Sequence, residues 1–129
     1  MNILIGDDHL LVREGVEQII RTLPEIELID EVTDGNELLS KVSISKYDLI
    51  IMDMSIPGVS GLDVLQKMRK NKNKTNVLLY SFDPQRQHAM FALRHGASGY
   101  LAKESIFVEL TTAVRRILKG EKYVSAETA

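Results

Sequence analysis

Asp7, Asp8, Asp53, Ser81 and Lys103 each follow a short apolar run. The runs are Ile3-Leu4-Ile5, Leu49 to Met52, Val77 to Tyr80 and Gly99 to Ala102. If the runs lie side by side and point the same way, three carboxylates, a hydroxyl and an ammonium group meet at one edge. Two like charges about 4 Å apart repel by ~4 kcal/mol at an effective dielectric near 20. Three clustered carboxylates therefore need compensation, which a divalent cation and Lys103 supply together. An all-oxygen set suits Mg2+ or Mn2+. Mg2+ uses one or two carboxylates plus phosphate oxygens, so one carboxylate stays free for covalent work. A carboxylate at a strand tip can be a metal ligand, a nucleophile or a cap for nearby N–H groups. Asp53 stands alone on the central strand and is the candidate nucleophile, because a carboxylate can attack phosphorus and form an aspartyl-phosphate. Such transfer depends mostly on positioning and charge stabilisation. Lys103 would hold one phosphoryl oxygen and the Ser81 hydroxyl another.

The elements between these tips must bring them together. Leu49 to Met52 reads as a strand buried on both faces. It leads into Met54-Ser55-Ile56-Pro57-Gly58, a Pro-Gly loop, and into Ser60-Gly61-Leu62-Asp63, a capping pattern that opens a helix with Leu62, Leu65 and Met68 inward. The first strand precedes an amphipathic helix with Val12, Val16, Ile19, Ile20 and Leu23 at helical spacing, stopped by Pro24. Leu28, Ile29 and Val32 suggest a less apolar, edge-like strand, and Asp34-Gly35-Asn36-Glu37 caps the next helix. Asp83-Pro84 reads as an N-cap with Pro at the first helical position. The helix after it has a thin apolar face, Ala89, Ala92 and Leu93, and ends at His95-Gly96. The fifth strand runs from Gly99 to Lys103, and Ser105 caps a last helix that ends at Gly120. Five alternating strand–helix units predict an α/β fold with a parallel sheet covered on both faces. The expected architecture is flavodoxin-like, five strands in the order 2-1-3-4-5, with its crevice between Asp7-Asp8 and Asp53.

Composition narrows the function classes. The chain has 129 residues, enough for one domain. Its formal net charge of −2 and pI near 5.9 leave no overall basic footprint for nucleic acid. The one basic cluster, Arg69, Lys70, Lys72 and Lys74, reads as a solvated helix-to-strand connection. No cysteine is present, which removes disulfides and thiolate metal sites. No apolar run spans a membrane and no leader pattern opens the chain, so a cytoplasmic location is expected.

The ordered set resembles the receiver domain of two-component response regulators. It comprises Asp7-Asp8, Asp53 with Met54 to Gly61, Ser81, and Gly99-Tyr100-Leu101-Ala102-Lys103, spread over nearly the whole chain. The resemblance implies that Asp53 is the phosphoacceptor for a histidine kinase or phosphotransfer protein. It implies Asp8 as direct metal ligand, Asp7 in support, and the Ser55 backbone carbonyl as a further ligand. Ser81 would be the switch hydroxyl, Tyr100 a switch aromatic turning from outward to inward, and Lys103 the phosphoryl partner. Many family members carry a cis proline after this lysine; here Glu104 follows, which departs from that loop geometry. His9, Arg13-Glu14-Gly15, His95 to Leu101 and Gly120 to Ser125 resemble the NarL/FixJ (LuxR-type) subfamily. That likeness implies a receiver domain over 1–120, a linker beginning at 121–129, and a C-terminal helix-turn-helix DNA-binding domain beyond it. The alternative is a stand-alone receiver that acts by protein–protein interaction, homodimerisation included.

Rival readings meet specific obstacles. A flavin or nucleotide site needs a phosphate-cradling loop after the first strand, and Gly6-Asp7-Asp8-His9 would repel phosphate. An aspartyl-nucleophile phosphatase usually has an acid two residues beyond the nucleophile, where this chain has Ser55. A docking module that has lost phosphorylation would not need the full acidic and lysine set. His9, His88 and His95 read as surface or helix-end residues, Tyr80 as an ordinary strand aromatic, and Asp83 as a cap that could also reach a hydrolytic water.

Overall fold

The computed structural model describes residues 1–82 and 86–125. The predicted N-cap pair Asp83-Pro84 lies outside the described residues. The strands are β1 (Asn2–Gly6), β2 (Leu28–Val32), β3 (Leu49–Asp53), β4 (Asn76–Ser81), β5 (Gly99–Ala102) and β6 (Tyr123–Val124). The helices are α1 (Leu10–Arg21), α2 (Gly35–Ile44), α3 (Gly61–Lys70), α4 (Arg86–Arg94) and α5 (Ile106–Leu118). All strand pairs are parallel, in the order β2-β1-β3-β4-β5-β6. The expected five-stranded sheet is thus corrected to six. Tyr123 and Val124 pair with Gly99 and Tyr100, and the N–H groups of Tyr123 and Ser125 donate to Ser98 and Tyr100. Two residues are too few to register as a periodic strand, so this stretch reads as tail in the sequence.

The apolar runs divide by side-chain parity, as a pleated strand requires. Leu4, Ile50, Met52, Val77, Leu79 and Tyr100 belong to the core on the α2, α3 and α4 side. Ile3, Ile5, Leu49, Ile51, Leu78, Tyr80 and Leu101 belong to the core under α1 and α5. On α3, Val64 is fully buried with Leu65 and Met68, whereas Leu62 is only partly covered. The thin face of α4 has a packing reason: Tyr100, wholly buried, shares the core with Ala89 and Ala92, and small residues leave room for its ring.

The connections are fixed by named contacts. Asp34 caps α2 by accepting the Glu37 N–H at 2.8 Å, and Ser60 caps α3 by accepting the Asp63 N–H at 3.3 Å. The loop after β3 turns at Gly58, whose φ of +82° suits glycine. It docks on the start of α2, where Gly35 donates to the Pro57 carbonyl at 2.9 Å. The fifth strand is shorter than predicted: Lys103 opens a 3-10 turn, Lys103–Ser105, and Ser105 makes no side-chain cap to α5. The described residues contain no cis peptide, so the Lys103–Glu104 bond is trans.

A Cβ at Gly35 would lie 2.0 Å from the Val59 carbonyl oxygen. Backbone cannot yield as a flexible side chain can, so Gly35→Ala is expected to destabilise the fold by about 2–3 kcal/mol. Urea unfolding of both proteins checks this, and a loss below about 0.5 kcal/mol would show that the loop after β3 is not tightly docked.

Candidate functional site

Parity also sets which side chains meet at the carboxyl edge. Ile5, Ile51, Tyr80 and Leu101 point into the α1–α5 core. Continuing that alternation puts Asp7, Asp53 and Lys103 on the same side, at the tips of β1, β3 and β5. Lys103 is buried, and its Nζ donates to Asp53 Oδ2 at 2.8 Å and lies 3.4 Å from Asp7 Oδ2. The other oxygen of Asp53 accepts the Ser55 N–H at 2.9 Å. Asp53 itself is only 3% exposed.

Asp7 is fully buried and uses both oxygens. Oδ1 accepts the His9 N–H at 2.8 Å, and Oδ2 accepts the Tyr80 hydroxyl at 2.5 Å. Burial, and then the Asp7 charge, push the Tyr80 hydroxyl well above the ordinary tyrosine range. Asp8 differs sharply from its neighbour, with 44% of its side chain exposed. Arg13 reaches back from α1 to donate to the Asp7 carbonyl at 2.9 Å and pairs with Glu31 at 3.2 Å, which fixes the β1–α1 connection.

The structure brings together Asp7, Asp8, Asp53 and Lys103, as expected. Ser81 ends β4 one residue beyond Tyr80, the residue opposite Asp53, and is buried. Tyr100 corrects the expected outward start: it is wholly buried, with its Oη 3.6 Å from Met54 Sδ. Four neighbours escaped the sequence reading. His9 Nδ1 lies 3.0 Å from both Asp7 Oδ1 and Lys103 Nζ, and 3.4 Å from Asp8 Oδ1. Phe82 lays its ring 4.5 Å from Lys103 Nζ and meets His9 edge-on. Tyr80 and Arg13 hold Asp7 as described. Tyr80 was findable, because it shares parity with Ile51 and hence with Asp53. Asp7, Asp8, His9 and Asp53 each offer a ligand atom within 4.8 Å of the others, so the pocket can take a small cation.

The family model for the response regulator receiver domain matches residues 3–115. The chain belongs to this family. The receiver is 37% identical over 125 residues to the oxygen regulatory protein NreC of Staphylococcus haemolyticus, covering 96% of this chain but 58% of that protein. A LuxR-family two-component response regulator from Aurantimonas sp. SI85-9A1 superposes with a TM-score of 0.91 at 29% identity, covering 98% of this receiver and 91% of that chain. The signal receiver domain of NarL from Mycobacterium tuberculosis gives 0.85 at 32% identity, with 93% and 97% coverage. These relatives place the receiver in the NarL/FixJ (LuxR-type) subfamily. No helix among its described residues is long and apolar enough to cross a membrane.

Two tyrosines give the receiver an alkaline stability signature. Tyr47 donates to Asp30 at 2.6 Å, and burial with that contact pushes its hydroxyl up to about 12. Tyr80 is shifted in the same direction. Raised folded-state values mean that the folded protein binds more protons above pH ~10. The contribution of Tyr47 is therefore complete below pH 10 and is lost as pH climbs through 12, and that of Tyr80 begins to fall over the same window. Ultraviolet titration is expected to show Tyr47 and Tyr80 ionising late, with stability falling over that window; ordinary titration of both would contradict their hydroxyl contacts.

Proposed function

We propose that this chain is a phosphorylation-operated switch of a two-component system, in which Asp53 accepts a phosphoryl group from a histidine kinase or phosphotransfer protein. The observation that carries this is the held carboxylate of Asp53, with one oxygen on the Ser55 N–H and the other on the Lys103 ammonium, beside Asp7 and Asp8. In the transfer, a carboxylate oxygen of Asp53 bonds to phosphorus as the donor's phosphorus–nitrogen bond breaks, and the released imidazole takes up a proton. Each chain accepts one group, so the domain is not an enzyme turning over a separate substrate. It acts at most on its own phosphorylation and dephosphorylation.

The acidic pocket suits Mg2+ or Mn2+ because its carboxylates are hard ligands gathered at one point. Asp8, Asp53 and the Ser55 backbone carbonyl would hold the ion. Asp7 fits the supporting role, since both its oxygens already accept hydrogen bonds. When bound, the cation neutralises phosphoryl oxygens. Lys103 orients Asp53 and keeps a positive charge beside the accepted group, and the Ser81 hydroxyl can donate to one of its oxygens. With Tyr100 already inward, the response is a shift of the Ser81 strand end and α4 around a filled core. An added charge biasing a two-state element of this kind is what a phosphorylation switch needs.

The receiver unit expected over residues 1–120 extends through β6, whose Tyr123 and Val124 pair with β5. The link to a C-terminal helix-turn-helix DNA-binding domain, expected over 121–129, would follow β6, so that the whole protein regulates transcription. The greater length of the NreC relative supports this. A cytoplasmic setting agrees with such a role. A stand-alone receiver acting by protein–protein contact is the second reading, favoured by the exposed Leu10, Leu11, Phe107 and Val108 where α1 and α5 begin. Those side chains suit a kinase or a second copy of the chain.

Incubation with a small phosphoryl donor and Mg2+ is expected to label the protein once per chain on Asp53. Asp53→Asn abolishes the label, and Asp8→Asn raises the Mg2+ concentration needed for it at least about tenfold. Wild-type labelling of Asp53→Asn would place the nucleophile elsewhere. Amide exchange with and without a beryllofluoride mimic is expected to change mainly in α4 and β5, and Ser81→Ala to mute the change. A response confined to α2 and α3 would overturn this route.

A further inference from the structure

At the opposite edge of the sheet from Asp53, the ends of α2 and α3 and the turn before β4 frame two adjoining cavities of about 590 and 450 Å3. They share Val42, Ser43 and Asn73. Five lysines line them, Lys46, Lys67, Lys70, Lys72 and Lys74, and no acidic residue does. None of the five is in an ion pair among the described residues. Leu39, Val42 and Met68 supply the apolar part of the first cavity's lining, beside Ser43, Asn71 and Asn73. Setting these five aside, the chain carries 11 basic against 18 acidic side chains. The positive charge is therefore concentrated here on an otherwise acidic protein.

The turn that presents these lysines is firmly built. Arg69 is half-buried without an acidic partner, and its guanidinium donates to the carbonyls of Asn73, Thr75 and Gly96 at 2.8, 2.9 and 2.7 Å. Asn73 Oδ1 accepts both the N–H and the hydroxyl of Thr75. Lys72 has a φ of +63°, a conformation that glycine or asparagine adopts more easily. Lys67 and Lys70 also complement the carbonyl end of α3, but Lys46, Lys72 and Lys74 lie past the helix ends, where that explanation does not reach.

We propose that this groove binds an acidic peptide segment of a protein partner, with carboxylates on the lysine rim and an apolar side chain against the partly covered Leu39 and Val42. Charge complementarity, with apolar side chains beside the lysines, selects this occupant. The arginine fork that would grip phosphate bidentately is already filled by carbonyls. A recessed floor does not insert into a lipid surface. The proposal does not depend on phosphorylation at Asp53.

The test titrates the labelled 129-residue protein with a peptide of repeated Glu-Glu-Leu units and follows amide shifts by NMR. Shifts are expected at residues 39–47 and 67–75. Affinity is expected to fall at least about tenfold in K70E/K72E/K74E and to weaken steeply with salt. The milder K67Q/K70Q, which removes charge without adding any, is expected to weaken binding by a smaller factor, so the result does not hang on one variant. Unchanged affinity in both variants, shifts confined to other surfaces, or tighter binding of a DNA duplex or phosphatidylserine vesicles by the same residues would each overturn the proposal.

Discussion

A single buried ammonium group holds the carboxyl edge of this sheet together. Lys103 is all but excluded from solvent and lies between Asp53 and Asp7, which come from different strands. Burying two carboxylates is tolerable only with an opposite charge and satisfied lone pairs. Here the ammonium supplies the charge, while the Ser55 N–H, the His9 N–H and the Tyr80 hydroxyl supply the hydrogen bonds. Leaving such carboxylates unpaired costs about 3–5 kcal/mol. The tips of β1, β3 and β5 are thereby tied to one another through one side chain.

The same arrangement separates the two faces of the molecule by task. The α1–α5 side carries the buried acids and Tyr80. The α2–α4 side carries Tyr100 under the two alanines of α4. Ser81, at the junction, follows Tyr80 and so has the opposite parity, toward α4. The strand end next to the acids thus also borders α4, whose buried residues are two alanines.

Much of this was legible in the sequence because apolar runs broken by Pro, Gly and capping residues specify alternating strands and helices. The tips Asp7, Asp53 and Lys103 could be located as soon as the runs were ordered. What stayed hidden depends on contacts between distant residues. His9 has no periodic signal, and only the turn made by its N–H on Asp7 carries its ring toward the carboxylates. The inward position of Tyr100 follows from space left by Ala89 and Ala92, a packing fact that one-dimensional periodicity does not contain. β6 is stabilised through Tyr123 and Ser125, whose hydroxyls both donate to Glu109 on α5, and two residues give no alternation to read. The lysine cluster was visible, but the concavity behind it was not.

Strand parity carries an implication for how such a chain can vary. The side chain at each strand tip is aimed by counting residues from the buried run behind it. Deleting or inserting one residue within Leu49 to Met52 would turn Asp53 to the opposite face and expose half of the run's apolar groups to the wrong core. A swap of Ile51 for another aliphatic residue leaves the aim intact. Single-codon insertions and deletions in β3 should therefore be lethal to the fold where aliphatic replacements are absorbed, whereas the loops on the lysine edge can change length without disturbing Asp53.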